Sequence, residues 1–278
     1  MKDLKLYIQK SLDSYSSDEA EALSIYILQE AFGFSRARLH SNKITKLSPF
    51  QESYLKEILQ RLSRHEPIQH ILGKCYFYDL TFEVNSNVLI PRPETEELVF
   101  WILEDYKNQQ PKILDIGTGS GCIAITLAKK LSDSKVSAWD ISEKALETSK
   151  INAGSNHVDV QFKQVDILSF NHNCEEKFDI IVSNPPYICS SEKKDMERNV
   201  LDFEPATALF VKDENPLIFY EKISEFALES LSSNGSLYFE INRRMGEEMK
   251  EMLKNKGFSK IELRKDISQN DRMIKAQL

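Results

Sequence analysis

Apolar positions recur with one period up to about residue 74 and with another beyond residue 111. The first stretch has helical spacing. Leu4, Tyr7, Ile8 and Leu12 predict one stripe, and Ala22, Leu23, Ile25, Tyr26, Ile27 and Ala31 a second. Ser17-Asp18-Glu19 reads as a helix start and Gly33 as a stop. A third helix is expected over residues 49–64, with Tyr54, Leu55, Ile58, Leu59 and Leu62 inward. Residues 66–73 read as a linker ending at Gly73, and the aromatic, β-branched run 75–84 as a hairpin. Residues 88–90 lead into Pro91-Arg92-Pro93-Glu94-Thr95-Glu96-Glu97, where Pro93 opens a helix and the acids suit its first turn.

Beyond Pro111 short apolar runs alternate with helical ones. Strands are expected at 112–116, 136–139, 160–165, 178–183 and 236–241, and helices at 122–131, 142–152, 215–232 and 245–256. Two final strands, 260–264 and 273–276, flank a polar turn, so the last runs antiparallel. Strands alternating with helices imply a parallel sheet with right-handed crossovers. The expected fold is α/β, a Rossmann-like seven-stranded sheet behind a helical bundle. The expected domains are residues 1–73, helical; 74–90, a linker hairpin; and 91–278, the α/β unit.

Composition narrows the function. With 41% hydrophobic and 28% charged residues, the chain carries an ordinary globular core. Its net charge of −7 argues against bulk electrostatic binding of nucleic acid. Residues 1–75 carry eleven Lys/Arg against nine Asp/Glu, which reads as solvated helix faces in preference to a basic surface. Cys75, Cys122, Cys174 and Cys189 form no C-x-x-C pair, and the five histidines show no metal spacing. A reduced, cytoplasmic protein without a metal is expected. Cys75, Cys122 and Cys189 read as core packing. No apolar run is long enough to span a membrane.

Three strand ends carry the candidate chemistry. Phe178-Asp179-Ile180-Ile181-Val182-Ser183 suits a buried strand apart from Asp179, and Asn184-Pro185-Pro186-Tyr187 ends it. Two prolines forbid further ladder pairing, and the residue before a proline is held extended. An amide, a rigid turn and an aromatic ring are therefore offered at the edge where open α/β sheets bind ligands. Gly117-Thr118-Gly119-Ser120-Gly121 forms a strand-to-helix turn whose G-x-G-x-G spacing differs from the G-x-G-x-x-G of dinucleotide sites. Asp140 closes the second strand, where a carboxylate can accept ribose hydroxyls, and Asp166 closes the third, where it can meet an adenine edge. Asp115 reads as a residue that orders the glycine loop.

Together these motifs resemble class I S-adenosylmethionine-dependent methyltransferases. The segments Ile90-Pro91-Arg92-Pro93-Glu94-Thr95-Glu96, Val182-Ser183-Asn184-Pro185-Pro186-Tyr187-Ile188 and Phe203-Glu204-Pro205-Ala206-Thr207-Ala208-Leu209 resemble, more narrowly, the protein N(5)-glutamine methyltransferases of HemK/PrmC type. The helical N-terminus and the 66–73 linker match as well, so the resemblance covers nearly the whole chain.

That resemblance implies a methyl donor, S-adenosyl-L-methionine, leaving as S-adenosyl-L-homocysteine, and class 1 peptide chain release factors as protein substrate. It places Gly117, Thr118, Gly119, Ser120, Gly121, Asp140, Asp166, Ile167 and Asn184 at the cofactor. Asn184, Pro185, Pro186 and Tyr187 would hold the acceptor glutamine, with Asn184, Pro185 and Tyr187 catalytic. Arg92, with Pro93 and Thr95, would wall the substrate site, and the helical domain would dock the release factor. The family pattern breaks at Glu240-Ile241-Asn242, where Glu-x-Gly is commoner, and in the glycine-free turn 266–272. Both departures are expected at the far edge of the sheet. Weaker readings are a glutamine methyltransferase of a ribosomal protein, an adenine-N6 or guanine-N2 nucleic-acid methyltransferase, and a non-catalytic cofactor-binding protein.

Overall fold

In a computed structural model, residues 2–39, 46–170 and 176–278 are described. Cys174 and part of the expected N-terminal helical stretch (40–45) lie outside them. The chain divides into two units: residues 1–73 with 197–203, and residues 74–196 with 204–278.

The first unit is built from α1 (Lys2–Lys10), α2 (Ser17–Glu30), α3 (Arg36–Leu39), α4 (Pro49–Leu62) and α5 (Ile68–Leu72). Ser16 and Ser48 each head a reciprocal capping box, with Glu19 and Gln51 as partners. The cap of α2 thus lies one residue before the expected start. Leu55, Ile58, Leu59 and Leu62 are buried as expected, with Tyr54 at the margin of their cluster. The earlier stripes hold in part: Ile8, Leu12 and Ile27 are buried, and Leu4, Leu23, Tyr26 and Ala31 pack against their cluster. Tyr7 and Ala22 face solvent, and α2 buries Ala20, Ser24, Ile27 and Leu28. The clustered apolar residues of α2 fit two rotations of the helix, and packing selects the one that buries Leu28. The 66–73 segment is helical over α5, and Gly73 ends it in the left-handed conformation (φ 69°).

In the second unit, the hairpin of β1 (Lys74–Phe77) and β2 (Leu80–Glu83) turns on Tyr78 and Asp79, both at positive φ. α6 (Pro93–Asp105) opens on Pro93. Then come β3 (Lys112–Ile116), α7 (Cys122–Lys130), β4 (Lys135–Asp140), α8 (Glu143–Ser155), β5 (Gln161–Gln164) and β6 (Phe178–Ser183). The short strands β7 (Ile188–Cys189) and β8 (Phe210–Val211) pair with each other. A 3-10 turn (Ser190–Asp195), α9 (Arg198–Phe203, in the first unit) and α10 (Ala206–Leu209) lie between them in sequence. The chain closes with α11 (Ile218–Ser230), β9 (Leu231–Glu240), α12 (Gly246–Asn255), β10 (Ser259–Lys265) and β11 (Asp271–Gln277).

Seven strands form one sheet in the order β10-β11-β9-β6-β3-β4-β5, parallel except for β11, which runs antiparallel to both neighbours. Alternate residues serve alternate faces. Ile113, Val136, Ile180, Val182 and Tyr238 join α6, α7 and the β1–β2 hairpin in one core. Leu114, Trp139, Ile181, Leu237 and Phe239 join α11 and α12 in the other. The hairpin set apart in sequence as a linker therefore shares the sheet's core. Asp179, the polar residue of β6, accepts from the Lys112 N–H and the Ser232 hydroxyl, both at 2.8 Å, and so ties the strand's start to its neighbours.

One expectation is corrected here. Glu240-Ile241-Asn242 follows from β9, and β9 is the direct neighbour of β6, not a far edge. Only the 266–272 turn belongs to the β10–β11 margin. Among the described residues, no helix is long and apolar enough to cross a membrane.

Candidate active site

The carboxyl ends of β6, β3 and β4 are adjacent, with Ser183 opposite Ile116 and Ile116 opposite Trp139. The segment after each strand therefore emerges at the same edge. The glycine loop after β3 is bound to the end of β4. Gly117 and Thr118 N–H groups donate to the Trp139 carbonyl at 2.8 and 3.0 Å, and Gly119 N–H donates to Asp140 at 2.9 Å. These amides are spent on the protein, consistent with a loop that demands no pyrophosphate.

Asp140 also accepts from the Ser142 N–H at 2.9 Å, one oxygen serving each donor. The Ile141 N–H also bears on this carboxylate, which leaves one of its four lone pairs for a further donor. Burial pushes its pKa up against these hydrogen bonds. Asp115 orders the loop as expected, accepting from the Thr118 hydroxyl at 2.6 Å and the Ala124 N–H at 3.3 Å. The Thr118 and Ser120 side chains are buried, which leaves the main chain of the loop to face a ligand.

Sequence reading missed two supports of this loop. The Ser149 hydroxyl donates to the Gly119 carbonyl at 2.7 Å, and the Asn152 amide donates to Ser120 at 2.9 Å and Glu83 at 3.0 Å. Both are wholly buried on α8. The signal was available: with Ala145 and Ala153 they place polar groups on the inward face of a helix, where an unpaired polar group is costly.

The Asn184 amide is held by a buried network. Its Nδ2 donates to Thr95 Oγ1 at 3.2 Å, and the Thr95 hydroxyl donates to Glu240 Oε2 at 2.6 Å. Tyr187 donates its hydroxyl to Glu240 Oε1 at 3.1 Å. The Asn242 amide, at the position where glycine is commoner, donates to the Tyr187 carbonyl at 3.3 Å. Glu240 is wholly buried. Desolvation raises its pKa, while Thr95, Arg272 and Tyr187 oppose the rise. Burial beside that carboxylate also pushes the Tyr187 phenol far up, so it stays protonated and donating. Thr95 gains a role that sequence did not assign, and Glu240 enters the site.

Arg92 caps α6 and pairs with the buried Glu204, which also accepts the Ile90 N–H at 3.3 Å. Two of the family-like segments thus meet through an ion pair, and the Arg92 guanidinium is engaged by protein. Burial raises the Glu204 pKa, with Arg92 opposing. Asp166 follows β5, two residues past Gln164, the register partner of Asp140, and accepts the Leu168 N–H at 3.0 Å, while Ile167 is buried in the Trp139 cluster. Cys75 and Cys122 are core residues as expected. Cys189 is only half-buried, because β7 lies outside the main sheet.

Comparison with known proteins gives the fold and the family. A family model described as the PrmC N-terminal domain matches residues 4–73, and one described as the methyltransferase small domain matches 97–203. Among solved structures, a methyltransferase from Pyrococcus furiosus shares the fold at 17% identity and a TM-score of 0.52, covering 82% of this chain and 98% of that one. The hMettl16 catalytic domain shares it at 16% identity and a TM-score of 0.58, covering 72% and 76%.

Sequence relatives are far closer. The release factor glutamine methyltransferase of Flavobacterium psychrophilum is 47% identical, covering 97% of this chain and 95% of its own length. That of Bacteroides thetaiotaomicron is 44% identical over 99% of both. With such identity along nearly the full length of both relatives, the chain belongs to the release factor glutamine methyltransferase family.

Proposed function

We propose that this chain transfers a methyl group from S-adenosyl-L-methionine to the side-chain amide nitrogen (N5) of the glutamine in the Gly-Gly-Gln motif of class 1 peptide chain release factors, tuning translation termination in the cytoplasm. The observation that carries this reading is the alignment of three adjacent strand ends bearing the glycine loop, Asp140 and Asn184. The names borne by the full-length relatives support the acceptor.

The residues present fit the donor. A Cβ built on Gly117 or Gly119 would meet nothing within 4 Å, so the loop's main chain is open to close approach. Asp140, an acceptor at the next strand end, suits a ribose diol, and Asp166-Ile167 would flank the adenine. When bound, the cofactor supplies a methyl group activated by its sulfonium leaving group, with S-adenosyl-L-homocysteine as the product.

The protein's task is then mostly positioning. An amide nitrogen is a poor nucleophile because its lone pair is delocalised into the carbonyl. The Asn184 side-chain oxygen and the Pro185 carbonyl each accept one hydrogen of the acceptor NH2. This fixes the nitrogen and favours its pyramidalisation. Tyr187 and Pro186 line the planar group, and Arg92 braces the wall through Glu204. No base is required before transfer, since the methylated nitrogen releases its proton to water afterwards. The helical N-terminal domain docks the release factor, and neither membrane nor nucleic acid is a partner.

The test is incubation with methyl-labelled cofactor and three acceptors: release factor, ribosomal subunits and DNA. Label is expected in release factor, at the glutamine. Label confined to ribosomal protein or nucleic acid would overturn the acceptor.

A further inference from the structure

Asn184 can present either its oxygen or its nitrogen to an acceptor, because the two ends of a side-chain amide are nearly equal in size. Only an oxygen suits an incoming NH2, which is a donor on both hydrogens. Something must therefore fix the amide's polarity, and the hydrogen bonds from Glu240 outward do so. Glu240 accepts on both oxygens, from the Thr95 hydroxyl on Oε2 and from the Tyr187 hydroxyl on Oε1. Thr95, 2.6 Å from Glu240 Oε2, must donate to it. The Thr95 oxygen is then left to accept, and at 3.2 Å it takes the Asn184 Nδ2 hydrogen. The Asn184 oxygen consequently turns to the acceptor side. On the carboxylate's other oxygen Tyr187 donates in the same sense, at 3.1 Å. Three segments far apart in sequence converge here: the first turn of α6, the end of β6 and the end of β9.

Resting on the proposed function above, we infer that Glu240 is a positioning residue which, through the Thr95 hydroxyl, sets the donor–acceptor polarity of Asn184 and so selects an amide NH2 as the nucleophile. Removing the hydroxyl frees the Asn184 amide to rotate. Replacing the carboxylate by an amide gives Thr95 a donor to accept from, lets its hydroxyl donate to Asn184, and turns the Asn184 nitrogen towards the acceptor. That reversed site suits a carboxylate better than an amide.

Thr95→Val, Thr95→Ser and Glu240→Gln test this in the full-length enzyme. For Thr95→Val, kcat with release factor is expected to fall roughly 10- to 100-fold while cofactor affinity stays within about twofold, and Thr95→Ser should restore most of the rate. Equal impairment in Val and Ser variants, or full kcat in Thr95→Val, would overturn the relay. Glu240→Gln is expected to bind a release factor carrying glutamate at the acceptor position more tightly, relative to the glutamine form, than wild type does. An unchanged preference would overturn the polarity argument.

The side-chain amide NMR signals of Asn184 give a readout independent of any acceptor. They should shift in Thr95→Val and return in Thr95→Ser, and signals identical in all three proteins would refute the inference. If wild type leaves release factor unlabelled while these signals respond as expected, the acceptor assignment fails and the polarity relay stands.

Discussion

At Asp115 a wholly buried carboxyl group accepts from Thr118 and Ala124 on one oxygen and has no hydrogen-bond partner among the described residues on the other. Desolvation outweighs those hydrogen bonds and raises its pKa from 3.8 to about 7. Between these values the folded protein retains a proton that the unfolded chain has released. Unfolding free energy is therefore expected to fall as pH rises through this window and to level off above it. Urea titrations of wild type and Asp115→Asn should differ in slope across the window and run parallel above it. Asn184→Ala is expected to lower methyl transfer at least 100-fold with little loss of cofactor affinity, whereas Asp140→Ala loses cofactor affinity first. Calorimetry with rate measurements separates the two. The strand-end positions of Asp140 and Asn184 were legible because a lone polar residue ending an apolar run is visible in one dimension. Thr95 was expected in the substrate wall by resemblance, but its bond to Glu240 was not legible, since it joins residues 145 apart.

Helix α7 shows how one element depends on one position. Gly121 precedes it at φ 84°, and a Cβ there would lie 2.7 Å from Ile125 Cδ1 and 3.3 Å from Ser149 Cβ. Gly121→Ala should destabilise the protein by about 1–3 kcal/mol and loosen the loop that Ser149 secures, measurable by chemical denaturation. At α2, Ser16→Ala removes one half of the capping box and is expected to cost about 1 kcal/mol, read the same way. Strands β3, β4 and β6 were legible to within a residue, because a continuous apolar run between polar or glycine borders fits only a buried strand. The β7–β8 pair and the short helices α9 and α10 were not anticipated. With two to six residues each, these elements are too short to establish a period.

The two units have separate apolar cores, so a ligand of one need not stabilise the other. Saturating cofactor, at about 100 times its dissociation constant, should stabilise the second unit by about 2.7 kcal/mol. Hydrogen exchange should then slow at the ends of β3, β4 and β6 and stay unchanged in α1, α2 and α4. The helical spacing of the first unit was legible in its own sequence. The strand order was not, because periodicity says which residues face a core and nothing of which strand lies beside which. For that reason Glu240 seemed remote from Asn184 until β9 was found next to β6.

The two prolines after Asn184 have a consequence for side reactions. Neither carries a backbone N–H, so the turn proposed to cradle the acceptor offers oxygens and contributes no oxyanion-stabilising donors at those positions. Hydrolysis of an amide builds negative charge on its carbonyl oxygen and needs donors aimed there. On the proposed function, a glutamine held by acceptors at its nitrogen would be shielded from deamidation until it is alkylated. On prolonged incubation its mass should change by the added methyl group alone, with no conversion to glutamate.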